Sequence, residues 1–239
     1  MVIFAFAACD KPGDCVKSSG ALAVRNCTVP DFSKIMARKG IAVVVTQGDT
    51  YKVEVHSGEN LINDIQVSVI GDMLVLEDNT TCNWVREYGE TTVYVTAPNL
   101  TDIYCKTELN IISSGVLTYP NLRLVAMDSY DNFSGTGTGD FVMQVNNQLL
   151  VIETNTVSRF FISGNTEDLN ASVYASGGIV RAETLLAQQV HVFHRGSNDL
   201  FVHPVQSISG DIYSIGNVIS VARPPVVNVI EHYRGRLIF

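Results

Sequence analysis

Apolar and polar positions alternate along much of the chain with the period of two that a half-buried strand requires. In the first half the clearest runs are IAVVV and YKVEVH, separated by TQGDT, and DIQVSVI and MLVLE, separated by Gly71-Asp72. Both pairs read as β-hairpins, because a short polar or Gly-containing link between two alternating runs favours a tight turn. TTVYVT adds a strand that Pro98 closes. The one stretch with a helical option is DFSKIMARK, at 31–39, with an Asp at the N-cap position and a Gly stop. It is short and equally compatible with an extended segment.

Beyond Pro98 a longer period appears. A small or polar residue, usually two, precedes an apolar one at Leu109-Asn110-Ile111, Gly139-Asp140-Phe141, Ser158-Arg159-Phe160, Gly177-Gly178-Ile179, Asn198-Asp199-Leu200 and Gly216-Asn217-Val218. The last five apolar positions recur at intervals of about 20 residues, with alternating segments such as LLVIETN, ASVYAS, QVHVFH and SGDIYS between them. One turn signal and two short strands per repeat fit stacked coils, none of which buries its apolar face alone. The pattern therefore predicts an all-β chain: β-solenoid repeats, right-handed β-helix-like, in the C-terminal part, and antiparallel or mixed β structure in the N-terminal part. A sandwich of short strands is the competing architecture. The regions are 1–18, a signal, lipobox and tether; 19–97, the N-terminal β region; and 98–239, the repeat region, closed by strands in VVNVIEHYRGRLIF. The interval from Ile111 to Phe141 is half as long again as the others, so one coil carries an insertion, and SYDNFSGTGTG has the composition of a protruding loop.

Stacking also aligns side chains between coils. Tyr174, Phe193 and Tyr213 recur at the coil interval in corresponding strands, which makes them an aromatic ladder. Aromatic residues are usually buried, so an inward ladder that is plain core is the expected orientation. If it faces outward, it offers surface for sugar rings or a second subunit. Trp84, the only tryptophan, has the same two readings.

Composition narrows the function classes. A net charge of −8 argues against nucleic acid and anionic membrane surfaces, both of which need a basic patch. His191 and His194 fall on opposite faces of one strand, so they do not share a metal. Asp140, Asp199 and Asp211, with Arg159, Arg181 and Arg195, are the available acids and bases. Asp140 and Asp199 occupy a turn slot that Asn110, Arg159, Gly178 and Asn217 fill elsewhere, which is a turn preference and not a catalytic pair. Asp128, Asp131 and Asp140 do not match the spacing of an EF-hand loop. No nucleophile elbow, phosphate loop or zincin motif is present. No catalytic residue, metal ligand or cofactor is expected.

The opening MVIFAFAACDKPGDC is too short an apolar run to span a bilayer, which needs about 20 residues. Its Phe6-Ala7-Ala8-Cys9 ending reads as a lipoprotein signal, with Cys9 as the lipidated residue, although no Lys or Arg precedes it. A buried N-terminal strand is the alternative. Cys105 alternates with Ile103 and Thr107 as a buried free thiol would, leaving Cys15, Cys27 and Cys82 to compete for one bridge.

Taken together, KPGDC with its cysteines, ENLINDIQVSVIGDMLVLED, CNWVREY, the G-[DN]-[FV] coils, and IGNVISVARPP with RGRLIF resemble one family from about Ser19 to Phe239. This is the bacterial envelope family called putative auto-transporter adhesin, head GIN domain. KTELNI, NTVSRF and SGGIVR depart from its Gly-Ser-Gly-rich turns. The resemblance implies a secreted or lipid-anchored protein of Gram-negative bacteria, with solenoid-like repeats, no catalytic residues and an adhesin-type role. The expectation is a non-enzymatic lipoprotein of the outer membrane. It binds a glycan, a protein or another copy of itself, and touches the membrane only through its lipid. The alternatives are a structural or assembly component facing the periplasm and, less favoured, a β-helix carbohydrate-active enzyme.

Overall fold

The computed structural model of the protein describes residues 19–80, 91–130, 133–135, 137–175 and 177–239. Cys9, Cys15, Cys82, Trp84 and Asp131 lie outside the described residues. Among the described residues there is no helix, and the fold is all-β.

Up to residue 126 the strands are β1 (Leu22–Cys27), β2 (Lys34–Arg38), β3 (Ala42–Gln47), β4 (Lys52–Gly58), β5 (Ile65–Ile70), β6 (Met73–Asp78), β7 (Thr92–Ala97), β8 (Asp102–Lys106), β9 (Ile111–Leu117) and β10 (Asn121–Ala126). A two-stranded excursion follows, β11 (Ser129–Tyr130) with β12 (Phe133–Ser134). It accounts for the long interval between Ile111 and Phe141, which pair directly. Then come four long strands, β13 (Phe141–Thr154), β14 (Arg159–Val173), β15 (Ile179–His194) and β16 (Leu200–Ile212), and three short ones, β17 (Val218–Ser220), β18 (Val226–Glu231) and β19 (Leu237–Ile238).

Pairing arranges these strands into two walls that share the long ones. In wall A, β7, β3, β9 and the first halves of β13 to β16 lie parallel and side by side, and β17 and β19 continue the ladder. In wall B, β6, β2, β8, β10 and the second halves of β13 to β16 do the same and end at β18. Each long strand bends from one wall to the other. Gly164, in the wall A half of β14, and Gly210, in the wall B half of β16, let the backbone approach the preceding coil closely at φ +109° and +125°, where an added Cβ would lie 2.0 and 1.9 Å from the carbonyl oxygens of Val145 and Val192. Antiparallel strands close the N-terminal side: β5 borders wall B, and β4 with β1 extends wall A.

Inward residues from both walls form one buried cluster running from Phe32 to Val218, so the sheet and its core continue across residues 97 and 98. Phe141 and Phe160 stack within it at 4.8 Å, nearly parallel. Close packing of two flat rings explains why adjacent turns keep strict register here.

The structure revises three expectations. DFSKIMARK is strand, with Ile35, Met36 and Ala37 all fully buried because β2 lies between β6 and β8 and packs on both faces. IAVVV and YKVEVH do not pair with each other, because β7 lies between β3 and β4. The hairpin across Gly71-Asp72 does form, pairing Ile70 with Met73. Finally, the core position in the fourth repeat is Val180, paired with Phe160, and Ile179 beside it is only half-buried. The Gly177-Gly178 signal stands one position further from the core residue than its counterparts do.

Candidate binding surface

Thr154, Val173, His194 and Ile212 are in register near the ends of β13 to β16, and all four are buried. Alternation then turns the residues flanking them outward. Tyr174 and Tyr213 are accordingly 37% and 41% exposed, and Phe193 is half-buried. The aromatic column therefore lies on the outer face of wall B and is not core, contrary to the burial tendency of aromatic residues.

The ring centroids are 5.5 Å apart from Tyr174 to Phe193 and 5.3 Å from Phe193 to Tyr213. A fourth ring, His232, stacks on Tyr213 at 4.2 Å and 4° and shares a 2.6 Å contact with Asp211 Oδ1 through Nε2. Each such pair contributes about 0.5–1.5 kcal/mol. Only Tyr213 and His232 are stacked face to face, whereas Phe193 is tilted by 46° and 49° against its two tyrosine neighbours, so the column is a row of angled rings and not one flat platform.

At its other end the column joins a polar network. The Tyr174 hydroxyl donates to Glu153 Oε1 at 3.1 Å, and burial pushes its pKa upward. Arg123 donates to Glu153 Oε2 at 3.0 Å, to Asp102 Oδ1 at 2.6 Å and to the Tyr104 hydroxyl at 2.7 Å. Fixed this way, Glu153 holds the first ring in place. His232 follows Tyr213 by the same coil interval, so writing the chain out in coils would have revealed it. Arg123 and Glu153 lacked a comparable signal, because the insertion breaks the period between their strands.

The remaining chemistry-bearing residues occupy structural roles. Asp140 is buried and pairs with Arg159 at 2.5 Å, and Asp199 accepts from the Asn217 backbone N–H at 2.9 Å. Three strand steps separate Asp140 from Asp199, about 14 Å, too far for concerted proton transfer. His194 is buried, its Nε2 lies 2.9 Å from the Asn198 carbonyl oxygen, and its Nδ1 has no hydrogen-bond partner among the described residues. Burial holds its pKa below the usual value. His191, by contrast, faces solvent and contacts Ser209 Oγ at 3.0 Å. His203 Nδ1 meets the Glu183 carbonyl oxygen and His56 packs on Tyr94. No group of three His, Cys, Asp or Glu able to hold a metal occurs among the described residues. Cys105 is a fully buried free thiol, which burial pushes up to about 11, and Cys27 is free and half-buried.

The sequence pattern of the family described as putative auto-transporter adhesin, head GIN domain, matches residues 31–224. The chain belongs to this family. Its fold is shared with solved structures of low sequence identity. A putative adhesin from Bacteroides fragilis superimposes with a TM-score of 0.79 at 21% identity, covering 91% of this chain and 96% of that one. A putative adhesin from Parabacteroides merdae gives 0.65 at 17%, covering 94% and 99%. A putative lipid binding protein from Parabacteroides distasonis gives 0.64 at 15%, covering 92% and 98%. A search of curated proteins finds no match. Membership in the family makes this a putative adhesin associated with the cell surface or envelope.

Proposed function

We propose that this chain is a non-enzymatic adhesin-type binding module, lipid-anchored to the outer membrane through Cys9, whose repeats form a β-solenoid. The observation that carries the reading is the outward aromatic column. Four rings and two carboxylates held on a solvent-facing wall are of more use to a binding partner than to the fold's own core. Its occupant is a glycan, a protein or a second copy of the chain. The parallel register of β13 to β16, one coil after another at a nearly constant interval, supports the solenoid architecture. A catalytic role is disfavoured because Asp140 and Asp199 are engaged in separate turn contacts.

A structural role facing the periplasm is the second reading, and the face-to-face stacking of Tyr213 on His232 favours it, since such rings stabilise one another without a ligand. Adhesion separates the two. Cells producing the wild-type chain are expected to adhere to immobilised glycan or host-protein surfaces more than cells lacking it, with Tyr174→Ala/Tyr213→Ala cells reduced. Equal adhesion by all three, at equal protein levels, removes the adhesin reading.

A further inference from the structure

The outer face of wall A carries a second feature, unrelated to the aromatic column. Directly paired outward positions run from Tyr94 through Val44 and Ile112 to Val142 and Phe161. They continue through Arg181 and Phe201 to Ile219 and Ile238. Eight strand steps make this stripe about 38 Å long. It is one side chain wide, apolar except at Arg181, and Tyr94, Val142, Phe161 and Ile238 are each 39–44% exposed. A soluble face has no intrinsic need of such a line.

Midway along it the surface is indented. Register shifts fall in three pairings at one place, with the extra residues carried by β9 between Ile112 and Val116 and by β15 between Arg181 and Leu186. They frame an open groove of about 420 Å³ lined by Val142, Gln144, Phe161, Ser163, Arg181 and Glu183. Arg181 lies 4.2 Å over the Phe201 ring and donates to Glu183 Oε1 from Nε at 2.8 Å and from Nη2 at 2.5 Å. Glu183 Oε2 is shielded from solvent and has no hydrogen-bond partner among the described residues. A buried carboxylate oxygen without a donor is costly, and turning the part-exposed Glu183 carboxylate toward a ligand hydroxyl in the groove supplies the missing bond.

We propose that this groove and stripe bind a linear, neutral polysaccharide lying along the stack, across the strands. A pyranose ring has an apolar face edged by hydroxyls. The stripe is its complement: Phe161 and its aliphatic neighbours meet the ring faces, while Glu183, Gln144 and Ser163 on the flank meet the hydroxyls. A flat protein partner needs a broader apolar patch than one side chain, and a lipid needs an apolar pocket without a buried carboxylate. The net charge of −8 disfavours polyanionic glycans. The inference rests on the binding-module reading but places the site on the opposite wall from the aromatic column.

The test is affinity electrophoresis of the purified chain in gels containing xylan, mannan, laminarin or hydroxyethyl cellulose, with dextran sulfate as the anionic counterpart. At least one neutral polymer is expected to retard the wild-type chain. Phe161→Ala and Glu183→Gln are each expected to weaken binding about tenfold, the loss of one ring contact or one charge-assisted hydrogen bond. Val157→Ala, at an exposed turn, leaves binding unchanged, and circular dichroism shows that both groove variants fold. Retardation by none of the neutral polymers, or by dextran sulfate alone, overturns the proposal while leaving the cell-adhesion test of the module standing. Retardation lost in Tyr213→Ala but kept in Phe161→Ala also overturns it, and moves the site to wall B.

Discussion

Phe160 and Phe161 are neighbours in sequence and chemically identical, yet the fold gives them opposite fates. Phe160 is fully buried and stacks on Phe141, whereas Phe161 is 39% exposed. Phe160→Ala removes the ring's burial and leaves a cavity between two coils that cannot collapse independently, a change that costs about 3–5 kcal/mol. About 0.5–1.5 kcal/mol of that is the lost ring pair. Phe161→Ala gives up partly hydrated surface and is expected to cost less than about 1 kcal/mol. For a chain of this size each kcal/mol moves the midpoint by about 2–4 °C, so the two variants should differ by roughly 10 °C. Thermal unfolding followed by circular dichroism, with urea unfolding to compare slopes, reads both. Equal losses in the two variants, or a loss below about 1 kcal/mol in Phe160→Ala, refute the register, because a one-residue slip exchanges the faces.

Other consequences follow from buried polar groups and tight turns. His194 is held below its ordinary pKa of 6.5 by burial, so the unfolded chain takes up a proton at a higher pH than the folded one. Its contribution to stability is therefore complete above pH 6.5 and declines as pH falls toward the folded value; His194→Gln should flatten that slope in midpoints measured between pH 7.5 and 5, and an unchanged slope counts against the assignment. Gly210→Ala, with a Cβ placed 1.9 Å from the Val192 carbonyl oxygen at φ +125°, should cost more than about 3 kcal/mol or prevent folding, and a wild-type midpoint would show that the two coils do not approach so closely. The buried Cys105 thiol, raised to about 11, should resist iodoacetamide at pH 8 in the folded chain and react in urea; alkylation of Cys105 under native conditions, read by peptide mass spectrometry, contradicts its burial.

Much of the fold was legible because its main rule is local. Alternation located β3 to β7, and the Gly-Asp-Phe type of turn signal located the starts of β13 and β16. What failed was pairing between elements distant in sequence. β3 and β4 look like a hairpin, but nothing in TQGDT reveals that β7, far later in the chain, takes the place beside β3. DFSKIMARK carries helix-compatible residues, and only neighbours on both sides make it strand.

The candidate surface was partly legible for the same reason. The coil period brings the rings of Tyr174, Phe193 and Tyr213 into contact, although Phe193 precedes the buried row and the two tyrosines follow it, and periodicity alone does not tell an inward row from an outward one unless the buried partner, here Val173, His194 and Ile212, is recognised. A polar-looking histidine in the buried row disguised it. Phe161, Arg181 and Phe201 follow one another at the coil interval and were readable by the same alignment. The groove was not, because it arises from bulges that sequence spacing does not show.

The proposed function has the fold presented outward from the envelope on a lipid anchor. Protease shaving of intact cells, with released and retained peptides mapped by mass spectrometry, tests it most directly. Peptides from residues 98–239 are expected to be released from intact cells while a lipid-modified peptide at Cys9 stays with the membrane. Release only after the outer membrane is broken, or an unmodified Cys9 still joined to Met1, contradicts it.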